Sequence, residues 1–299
     1  LSTPMFLVTG ATGGLGRKIV HTLCEQEKAV RAFVRLTSRY AELEYRGAEI
    51  FIGDLRQERD IQKACQGVQY IISTHGATSE SDGDAQSLDY RANIDLIDAA
   101  KVNGVQHFVF ISVLGADRGY EDSPTFKAKF AVERYLQSSG LNYTILRPSG
   151  FSSNLLPLAE QFSNTGIYLL IGDPHNRSSI VSTDDLARIA VDAVTNENAR
   201  NQVFAVGGPE ILKRQDIPAI FGRIFDRDPI VINPPIFLFD SVRTAVGVVN
   251  PSVKKALGTL RTLLANEFFC TPKEIERLES TFHMKMESLD TFLRRYLSV

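Results

Sequence analysis

The segment Val8-Thr9-Gly10-Ala11-Thr12-Gly13-Gly14-Leu15-Gly16-Arg17 constrains this chain more than any other. It follows a short apolar run, Met5 to Val8, and opens a stretch with Leu15, Ile19, Val20 and Leu23 at helical spacing. Strand, glycine turn and helix therefore stand in that order, with Gly10, Gly13 and Gly16 three residues apart. A diphosphate is held where a helix begins, because free N–H groups and the helix dipole favour negative charge there. Side chains in the turn would hold the phosphates away, and the last glycine lets helix and strand pack closely. The expected contacts are Gly10, Thr12, Gly13, Gly14, Leu15 and Gly16. A tight turn without ligand is the blander reading, and the strand–turn–helix context weighs against it.

The residues after the turn repeat the same rhythm. Strands are expected at Val30 to Val34, Glu49 to Ile52, Val68 to Ile72, His107 to Ile111 and Tyr143 to Leu146. Helices are expected between them, the longest over Leu88 to Val102. That alternation predicts an α/β fold, a doubly wound parallel Rossmann sheet covered by helices on both faces. With 299 residues, the expected division is a dinucleotide-binding core over 1–150, rejoined by 179–206. Ile180-Val181 is expected to return to it as a strand. Residues 151–178 and 207–299 then form a smaller, mainly helical lobe beside the sheet's carboxyl edge, a natural substrate lid.

The end of the second strand discriminates between dinucleotides. An NAD site places Asp or Glu there to hold the ribose hydroxyls. This chain has Val34-Arg35-Leu36, with Arg39 nearby. Arg35 would pair with a 2′-phosphate and Arg17 would add a second positive charge, so the expected cofactor is NADP(H). Asp54 and Leu55 follow the third strand; Asp54 either accepts from the adenine amino group or caps the next turn. Ser73-Thr74-His75-Gly76-Ala77 follows the fourth strand, and Thr74, His75 and Gly76 are expected along the cofactor.

Composition removes other classes. Thirty-three basic and 35 acidic residues leave a net charge of −2, so no excess of positive charge calls for nucleic acid or an anionic membrane. Cys24, Cys65 and Cys270 are few and widely spaced, and the five histidines show no metal-binding spacing. No metal is expected. No apolar run is long enough for a membrane helix, and no signal peptide is recognisable. The expected compartment is the cytoplasm, or an organelle stroma or matrix if a targeting segment has been removed.

With these pieces in place, the chain resembles the atypical, NmrA-like, NAD(P)-binding branch of the short-chain dehydrogenase/reductase superfamily. The turn over 9–16, Gly53-Asp54-Leu55, Asn93, Phe108 to Ser112, Lys129-x-x-x-Glu133, Tyr143 to Pro148 and Val181 to Ala187 carry the resemblance across about 5–206. The resemblance implies a catalytic Ser at Ser112 and the Lys of Tyr-x-x-x-Lys at Lys129. It also implies that Pro148, Ser149, Gly150 and Phe151 run past the nicotinamide. Four residues before Lys129, however, stands Thr125, and none of the nine tyrosines has Lys four residues later. A Thr hydroxyl is far less acidic than a phenol. Lys129 itself, Tyr120 or His75 would then have to supply the proton. On bare spacing, Lys129 also reads as an exposed i,i+4 partner of Glu133.

Two functions are compatible with this pattern. One is an NADP(H)-dependent oxidoreductase acting on a small, apolar carbonyl or conjugated double bond. The other is a non-catalytic NADP(H)-binding redox sensor, assembly factor or accessory subunit with a protein partner.

Overall fold

The apolar runs become strands where their branched and aromatic side chains can be buried on both faces. His107–Ile111 is buried at all five positions, and even His107 is satisfied, its Nε2 lying 2.9 Å from the Thr144 hydroxyl. Burial holds that imidazole at a pKa of about 4, so it is neutral in the sheet. The computed structural model describes residues 3–76, 85–249 and 251–297.

In chain order the first elements are β1 (Met5–Thr9), α1 (Gly14–Glu25), β2 (Ala29–Val34), α2 (Ala41–Tyr45), β3 (Glu49–Ile52), α3 (Glu58–Ala64) and β4 (Tyr70–Ser73). There follow α4 (Ala92–Val102), β5 (His107–Ile111), α5 (Pro124–Ser138), β6 (Tyr143–Pro148), α6 (Leu156–Thr165), β7 (Ile167–Leu169) and β8 (Arg177–Ser178). The chain closes with α7 (Thr183–Asp192), β9 (Gln202–Val206), β10 (Leu212–Lys213), α8 (Asp216–Phe225), β11 (Ile230–Ile232), α9 (Ile236–Val249), α10 (Pro251–Ala265), α11 (Pro272–Phe282) and α12 (Leu289–Leu297).

The main sheet has seven strands in the order β3-β2-β1-β4-β5-β6-β9. The pairs from β3 to β6 are all parallel. This is the expected doubly wound Rossmann sheet, and its order reverses between β1 and β4, where open α/β sheets bind ligands.

Two expectations differ in detail. The helix expected over Leu88 to Val102 begins with a π-helical segment, Ala85–Arg91, before α4. There the buried Asn93 side chain donates to the Asp89 carbonyl and accepts from Ser73 Oγ, so local polar bonds replace the regular ladder. Ile180-Val181 is not a strand. Val181 makes a single bridge to Phe151, and its N–H donates to Gly150 O at 2.9 Å.

The chain divides into two compact units. One contains Leu1–Gly119, Thr125–Arg147 and Thr183–Phe204; the other contains Tyr120–Pro124, Pro148–Ser182 and Ala205–Val299. The first is built on Leu7, Phe33, Ile71, Ile97, Phe108 and Phe110. Within it α7 packs on α1, fixed by an ion pair of 2.5 Å from Lys18 Nζ to Asp184 Oδ1. The second has its own core around Phe162, Tyr168, Phe221, Ile224, Phe292 and Leu293, with the Phe162 and Phe221 rings 5.7 Å apart. Each full aromatic burial of this kind contributes about 2–3 kcal/mol.

Candidate functional site

The glycine turn is tight on one side and open on the other. Gly10 has φ +69°, and a Cβ there would lie 2.6 Å from Thr74 Oγ1 and 2.8 Å from the His75 nitrogen. A Cβ on Gly16 would lie 2.0 Å from the Gly10 carbonyl oxygen. A Cβ on Gly14 would meet nothing within 4 Å. Gly13, the N-cap of α1, offers no side-chain cap, and the first turn carries no acid. Gly13 and Gly14 are exposed, Thr12 is half-buried and Leu15 is buried. The start of α1 therefore presents uncapped N–H groups that an anion can satisfy.

Beside this turn lies a basic corner. Arg35 is exposed just beyond β2. Arg17 ties three segments together: it donates to the Arg39 carbonyl at 2.9 Å, the Thr12 carbonyl at 3.4 Å and the Glu42 carboxylate at 3.0 Å. Glu42 also meets His21 Nε2 and Arg46 Nε, each at 3.3 Å. Desolvation raises its pKa, but His21, Arg46 and Arg17 together outweigh that and lower it. Asp54 is engaged locally. It accepts from the Arg56 backbone N–H at 2.9 Å and from the Arg56 guanidinium at 2.7 Å, which lowers its pKa. Leu55 packs against the core.

At the far end of β4, Thr74 donates to the Thr9 carbonyl at 2.9 Å. His75 is buried, with Nδ1 2.8 Å from Thr9 Oγ1. Burial and the neighbouring Lys129 charge push its pKa down to about 3. A neutral imidazole with so low a pKa is a poor proton donor, which removes His75 from the acid candidates. A Cβ on Gly76 would lie 2.6 Å from Asp89 Oδ1 and 3.8 Å from Lys129 Nζ, so β4, the π-helical segment and α5 converge here. Ala77 lies outside the described residues.

Lys129 is not the exposed partner of Glu133 that its spacing allows. It is buried; its Nζ donates to the Ile111 carbonyl at 3.0 Å, lies 3.8 Å from Asp89 Oδ1 and sits 5.1 Å from the Phe110 ring centre. Burial lowers its pKa, while Asp89 and Glu133 oppose the shift. An ammonium whose pKa is lowered is a better proton donor than an exposed lysine. Glu133 is engaged elsewhere. It receives Ser112 Oγ at 2.5 Å and a two-pronged contact from Arg147, Nε at 3.0 Å and Nη2 at 2.6 Å. Ser112 thus donates its proton to a carboxylate, whereas polarising a carbonyl would require that proton. Thr125 stands in the first turn of α5.

Pro148, Ser149, Gly150 and Phe151 belong to the second unit. Ser149 N–H donates to Val206 O at 3.0 Å and its hydroxyl to Ser179 O; Gly150 O accepts from Val181, and Phe151 O from Asn154. Tyr120 belongs to the same unit, its ring 5.9 Å from Phe268.

Sequence reasoning gave no role to Asp89 or Glu42, and it placed Arg147 only at the start of the segment expected to run past the nicotinamide. Glu133 was read as an exposed i,i+4 partner of Lys129, not as the buried partner of Arg147. Asp89 had one signal, its place four residues before the motif's Asn93. No helix among the described residues is long and apolar enough to cross a membrane.

Residues 10–197 match the NAD(P)H-binding family. The photosystem II assembly factor Ycf39 of Cyanophora paradoxa is 28% identical over 303 residues, 98% of this chain and 92% of that protein. The NAD(P)H azoreductase of Xenophilus azovorans is 32% identical over 218 residues, 72% of each chain. The NADPH-dependent quinone oxidoreductase of Escherichia coli, solved with NADPH, has a TM-score of 0.80 at 20% identity, over 98% of this chain and 100% of that one. At that identity the likeness speaks for the fold.

Proposed function

We propose a function for a chain that belongs to the NAD(P)H-binding family, in the atypical, NmrA-like branch of the short-chain dehydrogenases/reductases: it binds NADP(H) and reduces a small, apolar carbonyl or conjugated double bond. The observation that carries the reading is the uncapped start of α1. Gly10 and Gly16 leave no room for a side chain, while Gly14 faces open space. The N–H groups of Gly14 and Leu15 would hold the diphosphate, with Thr12 and Gly13 beside it; the Gly13 N–H itself closes the turn on the Gly10 carbonyl. Arg35 and Arg17 would hold the 2′-phosphate, with Asp54 and Leu55 near the adenine. Thr74, His75 and Gly76 would lie along the dinucleotide. Pro148, Ser149, Gly150 and Phe151 would orient the carboxamide.

When bound, the reduced nicotinamide supplies hydride. Lys129 supplies the proton, its amine held on the Ile111 carbonyl and its pKa lowered by burial. Ser112 keeps Glu133 in place and takes no part in polarising the substrate unless its hydroxyl turns away from that carboxylate.

Calorimetric titration with NADPH, NADP⁺, NADH and NAD⁺ tests the cofactor. Arg35→Ala is expected to weaken the phosphorylated forms by about 10- to 100-fold, the size of a charge-assisted contact, and to leave NADH unchanged. If none of the four binds the parent, the dinucleotide reading fails. Glu42→Gln should act in the opposite direction. It releases Arg17 and removes a negative charge, so NADPH should bind about two- to fivefold more tightly relative to NADH. For the reaction, NADPH oxidation is followed against quinones, enones and azo compounds. Lys129→Met should lower any turnover by about 100-fold or more while NADPH still binds.

A second reading has its own support. The missing Tyr and the engaged Ser112 favour a non-catalytic NADP(H)-binding module working with a protein partner. The 28% identity to an assembly factor over 98% of the chain points the same way. Tight NADPH binding with no oxidation across the panel would transfer the assignment to this reading.

A further inference from the structure

Helix α9 is inside out. Its sequence is Ile236-Phe237-Leu238-Phe239-Asp240-Ser241-Val242-Arg243-Thr244-Ala245-Val246-Gly247-Val248-Val249. An ordinary surface helix turns its charges to water and its apolar stripe to the core. Here both charged residues are tied to protein partners, Arg243 little exposed and Asp240 partly exposed. Arg243, only 12% exposed, makes a two-pronged pair with Asp122 at 2.5 and 2.8 Å and donates to the Lys254 carbonyl. Asp240 pairs with Arg261 of α10 at 2.6 Å. The exposed positions are instead uncharged and include Phe237 at 62%, Val242 at 61% and Val248 at 83%. Ser241, Thr244 and Ala245 complete that face.

We infer that this face docks on a membrane surface bearing anionic lipid, an inference that goes beyond the cofactor-based function. Two observations select that occupant. The first is size. A 14-residue helix presents a strip about 21 Å long and about 10 Å wide. That is well short of the roughly 800 Å² per partner of a stable protein complex. A bilayer needs no matching patch; an amphipathic helix lies in its interface with the apolar side down. The second is charge. With Arg243 paired to Asp122 and Arg261 to Asp240, the positive charge that 236–265 offers to a surface is that of Lys254 and Lys255. Helix α10 contains no acid, and Lys254, exposed, stands in its first turns directly after the end of α9. A lysine at that position can reach anionic headgroups while the α9 face enters the apolar layer.

The test is flotation of the full chain with phosphatidylcholine vesicles, with and without phosphatidylglycerol. The chain should float with the phosphatidylglycerol vesicles. The double variant Phe237→Asp/Val242→Asp should bind at least about tenfold less, with an unchanged melting temperature and unchanged NADPH affinity. Lys254→Glu/Lys255→Glu should lose the preference for phosphatidylglycerol. A folded parent that stays in the soluble fraction with both vesicles overturns the inference, as does a double variant that floats like the parent. A dimer seen by light scattering and abolished by Phe237→Asp/Val242→Asp, without vesicle binding, assigns the face to a second copy and equally overturns it.

Discussion

Arg147→Met should unfold far more readily than the parent, by about 3–5 kcal/mol, because it leaves a buried carboxylate without its cation. The Glu133 side chain is 1% exposed and is held by both Arg147 nitrogens and by Ser112 Oγ. The third prong of Arg147 reaches Asp117 at 2.6 Å, but that carboxylate is 47% exposed and water can replace the contact. The loss should therefore come from Glu133. For a chain of this size it corresponds to a fall in melting temperature on the order of 10 °C. The double variant Arg147→Met/Glu133→Met should recover most of it, since removing both charges also removes the cost of burying them. Thermal or urea denaturation of the parent, Arg147→Met, Glu133→Met and the double variant closes the cycle. A double variant no more stable than Arg147→Met would show that packing around β6, and not the stranded charge, causes the loss.

That cluster also shows where sequence reading stops. Lys129 and Glu133 are four apart on α5, and a pattern that sends charged residues outward makes them a surface pair. The same helix buries Phe126, Lys129, Val132, Glu133 and Leu136, a single stripe at 3–4 spacing with two charges inside it. The period was correct; the partners were hidden. Ile111 and Arg147 come from strands 18 residues on either side of Lys129, and Asp89 comes from a segment 40 residues earlier. The glycine turn was legible because all its determinants lie within eight residues. The sheet order was legible because parallel crossovers have one hand. In the second unit the pairings are short and distant: Ile230 meets Ile167, and Leu212 meets Ser178. Two- and three-residue strands carry no periodicity, so the lobe could be read only as apolar helices.

Gly16→Ala and Gly14→Ala, two substitutions two residues apart, should both weaken NADPH binding but differ in their effect on stability. At Gly16 the new methyl carbon would lie 2.0 Å from the Gly10 carbonyl oxygen. That oxygen cannot move away cheaply: it accepts the Gly13 N–H at 3.0 Å, and Gly10 is itself wedged against Thr74 and His75 at φ +69°. Helix α1 must shift from the turn, costing about 3 kcal/mol, the upper end for overpacking. NADPH binding should disappear with the turn. At Gly14 the methyl meets nothing, and alanine is the better helix former, so the melting temperature should hold or rise slightly. Yet that methyl projects from the exposed, uncapped end of α1, where the diphosphate would come against the backbone. NADPH affinity should fall by about tenfold or more, roughly the loss of one charge-assisted hydrogen bond. The pair separates a glycine needed for the fold from one needed for the ligand. If Gly14→Ala binds NADPH as tightly as a parent that does bind it, the diphosphate does not rest on this helix, and the dinucleotide must be placed elsewhere along the sheet's carboxyl edge.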